Sequence, residues 1–432
     1  MRIAQIYPHA RIEQADRISD AISIVLYECS RRLAARHEVS GWVREIGKWS
    51  GTRRLDGFTL HHLPVRLDRL LNGLMLLDRL SLTPRGRPAR TWPTYYLPFA
   101  VGLARRLRRE KVDIVHLHSL AGLAPLLRRL LPEVVLGLHI HDHALADFAP
   151  GWGRRCLRAT DFALACSDYV AQRTRRRLGG GLPPVHVLHN GVDARFLGNR
   201  ARPAASRRIL FVGRLAPEKG VHLLLAAFAR IAGEFPDATL DLVGPTDPSP
   251  PEFVDPWRSD PLLVPLASHL ARPAGYAAEL RRLAAPLGGR IRFLGPVDNL
   301  RLPALLADAG VLAMPSLWHE PFGIPVIEAM AAGLPVVASE AGAFPETVVP
   351  GETGMLVPRG DGEALAAALA RLLADGGLRQ RLGEAGHARV RERFTWDRQV
   401  ERLETLYLEA LTRRARRAGR AARGRPLPVP GG

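Results

Sequence analysis

Lysine is almost absent: Lys48, Lys111 and Lys219 are the only three in 432 residues, against 61 Lys and Arg combined. Arginine carries the positive charge, so each lysine departs from the chain's own habit. Cysteine is nearly as scarce. Cys29, Cys156 and Cys166 are too few and too scattered for a disulfide framework or a zinc knuckle, and a reducing compartment is expected. No stretch of about 18 uninterrupted apolar residues occurs, so no segment is expected to span a bilayer. Met1 runs straight into Arg2–Tyr7, a strand pattern, where a secretory leader needs a longer apolar run; the expected location is the cytoplasm. No two aspartates stand two positions apart, so no Asp-x-Asp pair is available to hold a divalent metal against a diphosphate. Aromatics are 6% of the chain and missing from the basic segment after Leu411, which argues against a protein that stacks on nucleic-acid bases.

What the chain has is apolar content and positive charge. Hydrophobic residues make up 47%, ample for burial, and the length suits two cores better than one. The formal net charge of +19 favours anionic partners: phospholipid headgroups, nucleic acid or phosphorylated substrates. A composition-wide preference for arginine explains the excess equally well.

Short apolar strands alternate with helical patterns. Arg2–Tyr7, Val112–His116, Val134–Ile140, Phe162–Cys166, Ile209–Val212, Thr239–Val243, Val311–Ala313 and Val336–Ala338 read as strands, with Ile22–Arg36, Val221–Glu234 and Gly362–Ala374 among the helices. Such alternation predicts an α/β fold with parallel sheets covered on both faces. The periodic signal lapses at 198–208, a linker between domains at 1–197 and 209–393. Residues 394–411 read as a final helix, with Val400, Leu403, Leu406, Tyr407 and Leu411 at helical spacing. The tail 412–432 holds seven arginines with Pro and Gly and is expected to be disordered. The Pro-rich stretch 246–273 stands where a helix should follow Thr239–Val243; a loop of that length is usually a lid or substrate contact, with a passive insertion as the alternative. Leu67–Leu82 carries an apolar stripe that suits a core-facing helix or, alternatively, one lying in a membrane interface.

Two stretches carry chemistry. In Phe211–Gly220 a strand ends at Gly213, a short loop presents Arg214 and Lys219, and a helix follows. Two cations at the C-terminal end of a strand suit a diphosphate: arginine grips phosphate oxygens bidentately, and lysine adds a compact charge. A solvated turn is the bland alternative, weakened by the rarity of lysine. In Glu320–Met330, Glu320 precedes a helix whose first turn holds Gly323 and Pro325. The amides of Phe322, Gly323 and Ile324 are then open to an anion or a sugar hydroxyl. Glu328 follows Glu320 by eight positions, so two carboxylates can hold two hydroxyl-bearing parts of one ligand. The alternative is that Glu320 complements the helix dipole, worth about 0.3–1 kcal/mol, and Glu328 is a surface residue.

Together with Ser167–Val170, His189–Asp193, Pro315-Ser316, Gly333–Ala338 and Gly342–Glu346, these stretches resemble glycosyltransferase family 4, most strongly from Phe211 to Val357. The resemblance implies the GT-B fold: two Rossmann-like domains facing each other across a cleft, the first on the acceptor side and the second binding the nucleotide sugar, with the C-terminal helix crossing back to the first. It implies that Arg214 and Lys219, beside Gly213, neutralise the donor diphosphate. Glu320 would contact the donor sugar, Glu328 the nucleotide ribose, and the amides of Phe322, Gly323 and Ile324 the sugar and distal phosphate. It implies retention of anomeric configuration, no cofactor and no divalent metal. The family places a histidine at the strand end after Val134; in His139-Ile140-His141-Asp142-His143 the candidate is His141, with His139 next, and plain structural histidines are the bland alternative. His-x-His at a strand end also suits a metal site, and His116 and His118 repeat the spacing one strand earlier. The chain departs from the family at Pro8–Asp16, which lacks the usual glycine pair after the first strand.

The expected function is therefore transfer of a sugar from a nucleoside-diphosphate sugar to an acceptor hydroxyl, in cell-surface glycan or lipid-linked saccharide synthesis. The basic tail would touch anionic membrane at its inner face, and no specific nucleic acid is expected. A GT-B epimerase or phosphorylase would reuse the same cleft. A basic nucleic-acid-binding protein and a metal-dependent hydrolase built on the His-x-His pairs are the readings from other classes.

Overall fold

The computed structural model describes residues 1–10, 12–14, 17–18, 20–45, 50–64, 92–246, 260–266 and 273–423. The stripe expected at 67–82 lies outside these residues, as does most of the stretch 246–273. The strands of the first half are β1 (Arg2–Ile6), β2 (Ile12–Gln14), β3 (Arg17–Ile18), β4 (Glu38–Arg44), β5 (Gly51–Leu55), β6 (Phe58–Leu63), β7 (Ile114–His118), β8 (Val135–Ile140), β9 (Phe162–Ala165) and β10 (Val185–Val187). One sheet runs β10-β9-β8-β7-β1-β4-β6-β5, with only the β5–β6 hairpin antiparallel. β2 and β3 form a separate antiparallel pair in the segment that lacks glycine.

The second half contains β11 (Arg208–Val212), β12 (Thr239–Val243), β13 (Ile291–Gly295), β14 (Val311–Met314), β15 (Val336–Ser339) and β16 (Gly354–Val357). They make one parallel sheet in the order β13-β12-β11-β14-β15-β16. Parallel neighbours need crossover connections, and the helices that supply them cover both faces. This is why β7, β8, β14 and β15 are buried along their whole length.

The strand pattern placed β7 at 112–116, whereas it spans Ile114–His118. Both histidines of this strand thus point to one face of the sheet, and neither follows it into a loop.

The last helix, Trp396–Arg423, packs Trp396, Val400, Leu403, Tyr407 and Ala410 into one cluster with Ile3, Leu26 and Val39 of the first half. Phe394 O accepts from Val192 N at 2.8 Å just before it. This helix corrects the disordered tail expected from 412 onward: it continues to Arg423, and of that tail only 424–432 lie outside the described residues. The composition is the reason. Alanine and arginine are among the strongest helix formers, and the first arginines are tied down. Arg413 pairs with Glu409 one turn earlier at 3.3 Å, and Arg414 bonds Asp161 at 3.0 Å and the carbonyl of Glu133 at 3.0 Å.

Candidate active site

The ends of β11 and β14 build the basic side of the site. After β11 the chain turns at Gly213, runs through Arg214 and makes a tight turn at Pro217–Lys219. Gly220 closes that turn with φ 69°, and a Cβ there would lie 2.0 Å from the carbonyl oxygen of Pro315. Only glycine lets this turn rest on the loop after β14, and that contact sets where Lys219 points. Leu317 N and Trp318 N donate to Glu218 O at 2.8 and 3.2 Å, stitching the two loops together.

Lys219 reaches Glu320 with its ammonium 2.7 and 2.9 Å from the two carboxylate oxygens. The same ammonium lies 4.9 Å from the centre of the Trp318 ring. Ser316 donates its hydroxyl to Glu320. Burial alone would raise the pKa of Glu320, but the charge of Lys219 and the donors around it win and hold it below the usual value. The Glu320 carboxylate is therefore held in its ionised form. Arg214 is held by Glu218, a fully buried carboxylate, at 2.8 Å. Each cation thus has a carboxylate partner.

Glu320 is fixed from the other side as well. It bridges to Gly342, where φ is 64° and a Cβ would lie 2.2 Å from the carbonyl oxygen of Glu320. Its carbonyl accepts from Ala343 N at 2.9 Å. The helix Ile324–Ala331 starts immediately afterwards, with Gly323 as its N-cap and no side chain capping it. Its first amides have no carbonyl one turn back, so Phe322, Gly323 and Ile324 present a partial positive charge beside Glu320.

Glu328 lies farther along this helix, buried, and faces Asp193 and Arg195 rather than Lys219. Burial pushes its pKa up to about 7; Arg195 opposes this and Asp193 adds to it. The structure thus pairs Lys219 with Glu320 and, in the same loop, Arg214 with Glu218, while Glu328 lies inside the helix that follows Glu320.

His141 follows β8 in the first half. Its Nε2 lies 3.0 Å from Nδ1 of His118. Two residues on, His143 Nε2 meets the carbonyl of His319 at 2.8 Å, so the end of β8 touches the residue next to Glu320. Tyr169, His143, Trp318 and His319 form an aromatic cluster across the same seam. Glu346 completes it: its carboxylate accepts from the amides of Asp168 and Tyr169 at 2.8 and 2.6 Å and meets His189 Nε2 at 3.3 Å. Sequence reasoning gave no role to Glu218, His143 or Glu346. The available signal for Glu346 was Ser167-Asp168-Tyr169, a helix start that attracts an anion.

The described part of 246–273 also reaches this region. Leu263 packs on Leu317, with Leu262, Leu266 and Trp318 around them, and Asp260 pairs with Arg359 at 2.6 Å.

Three buried histidines, His116, His118 and His139, bring ring nitrogens within 4.8 Å of one another. The rings of His116 and His118 stack at 4.4 Å with 10° between their planes. Their lone pairs therefore run side by side instead of converging on a point about 2.0–2.1 Å from each, as a bound metal requires. Both nitrogens of His118 already meet partners, His141 and Gln5. His116 and His118 thus fit a hydrogen-bonded stack better than a chelate, whereas neither ring nitrogen of His139 meets a hydrogen-bond partner among the described residues.

Two family models match most of the chain: Glycosyl transferases group 1 over residues 198–389 and Glycosyltransferase Family 4 over residues 22–196. The D-inositol 3-phosphate glycosyltransferase of Corynebacterium glutamicum is 32% identical over 380 residues, covering 79% of this chain and 84% of that protein. Glycogen synthase of Mycobacterium tuberculosis is 32% identical over 257 residues, 59% of this chain and 55% of its own length, so the match spans about half of that relative. Among solved structures, sucrose-phosphate synthase from Thermosynechococcus elongatus has a TM-score of 0.71 at 22% identity, covering 95% of this chain and 99% of that one. Anabaena Alr3699/HepE in complex with UDP and glucose has a TM-score of 0.67 at 19% identity, covering 94% and 99%. The architecture is GT-B. The chain belongs to glycosyltransferase family 4 and is a glycosyltransferase.

Proposed function

We propose that the protein transfers a sugar from a nucleoside-diphosphate sugar to an acceptor hydroxyl, with retention at the anomeric carbon and without a metal ion. The observation that carries this reading is the pair formed by half-buried Lys219 and buried Glu320 just before the open end of a helix, with Arg214 in the same loop as Lys219. As the glycosidic bond breaks, negative charge grows on the departing diphosphate. Lys219, Arg214 and the amides of Phe322, Gly323 and Ile324 stabilise that charge where a metal would otherwise be needed. Once Lys219 turns to the phosphate, Glu320 becomes an acceptor for a sugar hydroxyl. Glu328 holds the ribose, and His141 contacts the sugar from the first domain. A likeness to a protein crystallised with UDP-glucose favours a uridine donor. Relatives named for inositol phosphate and phosphatidyl-myo-inositol substrates favour an acceptor that is itself a polyol or a lipid headgroup.

A thermal-shift screen against UDP-, GDP- and ADP-sugars tests the donor, because a ligand at about 100 times its Kd adds about 2.7 kcal/mol to the folded state. One base should raise Tm by several degrees. No shift with any nucleotide sugar would remove the reading, and interconversion of the nucleotide sugar without acceptor would replace it by an epimerase.

A further inference from the structure

A buried chain of hydrogen bonds runs from His141 through the first sheet to the C-terminal helix. His141 Nε2 meets His118 Nδ1 at 3.0 Å, and His118 Nε2 meets Gln5 Oε1 at 2.8 Å. Gln5 Nε2 donates to the Tyr407 hydroxyl at 3.0 Å, and that hydroxyl meets His116 Nδ1. All five side chains are buried. β1, β7 and the end of β8 supply four of them, and the helix Trp396–Arg423 supplies Tyr407.

Donors and acceptors along such a chain are not independent, because an amide offers N–H at one end and a lone pair at the other. Gln5 gives its N–H to Tyr407, so the phenol spends its own proton on His116. Gln5 turns its oxygen to His118, so His118 carries its proton on Nε2 and accepts at Nδ1. His141 must then donate from Nε2. Burial, reinforced by the neighbouring imidazoles, pushes the pKa of His116, His118 and His141 well below the usual value, so each ring is neutral and has one N–H. The other nitrogen of His141, Nδ1, keeps its lone pair.

We propose that Gln5 and Tyr407 are positioning residues for sugar transfer: they lock His141 in the Nε2–H form, so that its Nδ1 accepts a hydrogen bond from a donor-sugar hydroxyl. The proposal rests on the glycosyl-transfer reading above. Turning over the Gln5 amide would reverse every donor in the chain and present an N–H in place of the lone pair. The tautomer of His141 is thus the signature of the arrangement. It also makes the docked C-terminal helix a condition for a correctly set first domain.

The test uses the full-length protein labelled with ¹⁵N-histidine, whose long-range ¹H–¹⁵N spectra distinguish the two neutral tautomers. Peaks are assigned with single His→Gln variants. Wild type should show His141 as Nε2–H. Tyr407→Phe keeps the ring and its packing, and Gln5→Leu removes the amide; in both, the His141 signal should move to a tautomer mixture. At saturating donor, kcat should fall about tenfold in each while the donor KM stays within about twofold. A mere packing role would lower Tm and leave both kcat and the tautomer unchanged, and that result overturns the proposal. So does an Nδ1–H or mixed tautomer in the wild type. A wild type that transfers no sugar at all defeats the transferase reading instead, and the spectra still decide whether the donor order stands.

Discussion

At the scale of single residues, what matters is which charges are paired and which are not. Lys219 and Glu320 satisfy each other, and Glu320 stays ionised despite burial. Glu328 is the opposite case. Its pKa is raised to about 7 in the folded protein, mainly by burial, above the ordinary carboxylate value that it regains on unfolding. A raised carboxyl stabilises the fold at low pH and loses that contribution as pH climbs through its folded pKa. Glu328→Gln should therefore match wild type in unfolding free energy near pH 4 and exceed it at pH 8 by on the order of a few kcal/mol, with a correspondingly higher Tm. On the proposed reading of Glu328 as the ribose partner, transfer should also fall in the same variant. Equal Tm values at pH 8 would show that the carboxyl ionises there without penalty.

At the scale of elements, the seam between the two halves is made by helix starts and strand ends. Glu346 lies against the first amides of Asp168–Leu178 and gives that helix the anion its N-terminus attracts. Removing it by Glu346→Ala leaves two amides without their charged acceptor, a loss of about 1–3 kcal/mol. The expected outcome is a lower Tm and, in solution scattering, a larger radius of gyration as the halves separate. An unchanged radius would mean that the remaining contacts, the aromatic cluster with the His143–His319 and Cys166–Pro321 hydrogen bonds, hold the seam without Glu346. Much of this scale was legible in the sequence. Strands such as Thr239–Val243 are short apolar runs bounded by turns, and Gly213, Lys219 and Glu320 stand at strand or helix ends where period and punctuation mark them. The hydrogen-bond chain was not legible, because Gln5 and Tyr407 are 402 positions apart and nothing local signals that they meet. Nor was the end of the last helix, since Arg-rich composition reads as a tail until Asp161 and Glu133 are seen to receive Arg414.

At the scale of the whole molecule, two parallel sheets turn their C-terminal strand ends toward a common seam, and one helix ties the chain's end to its beginning. Among the described residues no helix is long and apolar enough to cross a membrane. The histidine stack ties the stability of this assembly to pH. His116, His118, His139 and His141 all have pKa values lowered by burial, His139 to about 3. Bases with depressed folded pKa values stabilise the fold above their unfolded pKa, and that contribution drains away as pH falls toward the folded values. Each adds up to about 1.4 kcal/mol of loss per pH unit below about 6.5. Tm should therefore drop steeply between pH 6.5 and 4.5. The drop should be shallower in His139→Phe, provided the ring fits. A flat profile would mean that the stack admits protons without unfolding.

The central claim is that side-chain cations and a helix terminus carry the leaving diphosphate without a metal. Sugar transfer measured in excess EDTA, for wild type and for Lys219→Ala checked for native fold by circular dichroism, tests it most directly. The account predicts full wild-type turnover in EDTA and a loss of at least about a hundredfold in Lys219→Ala. Turnover abolished by EDTA and restored by Mg²⁺ or Mn²⁺, with Lys219→Ala still active, would contradict it.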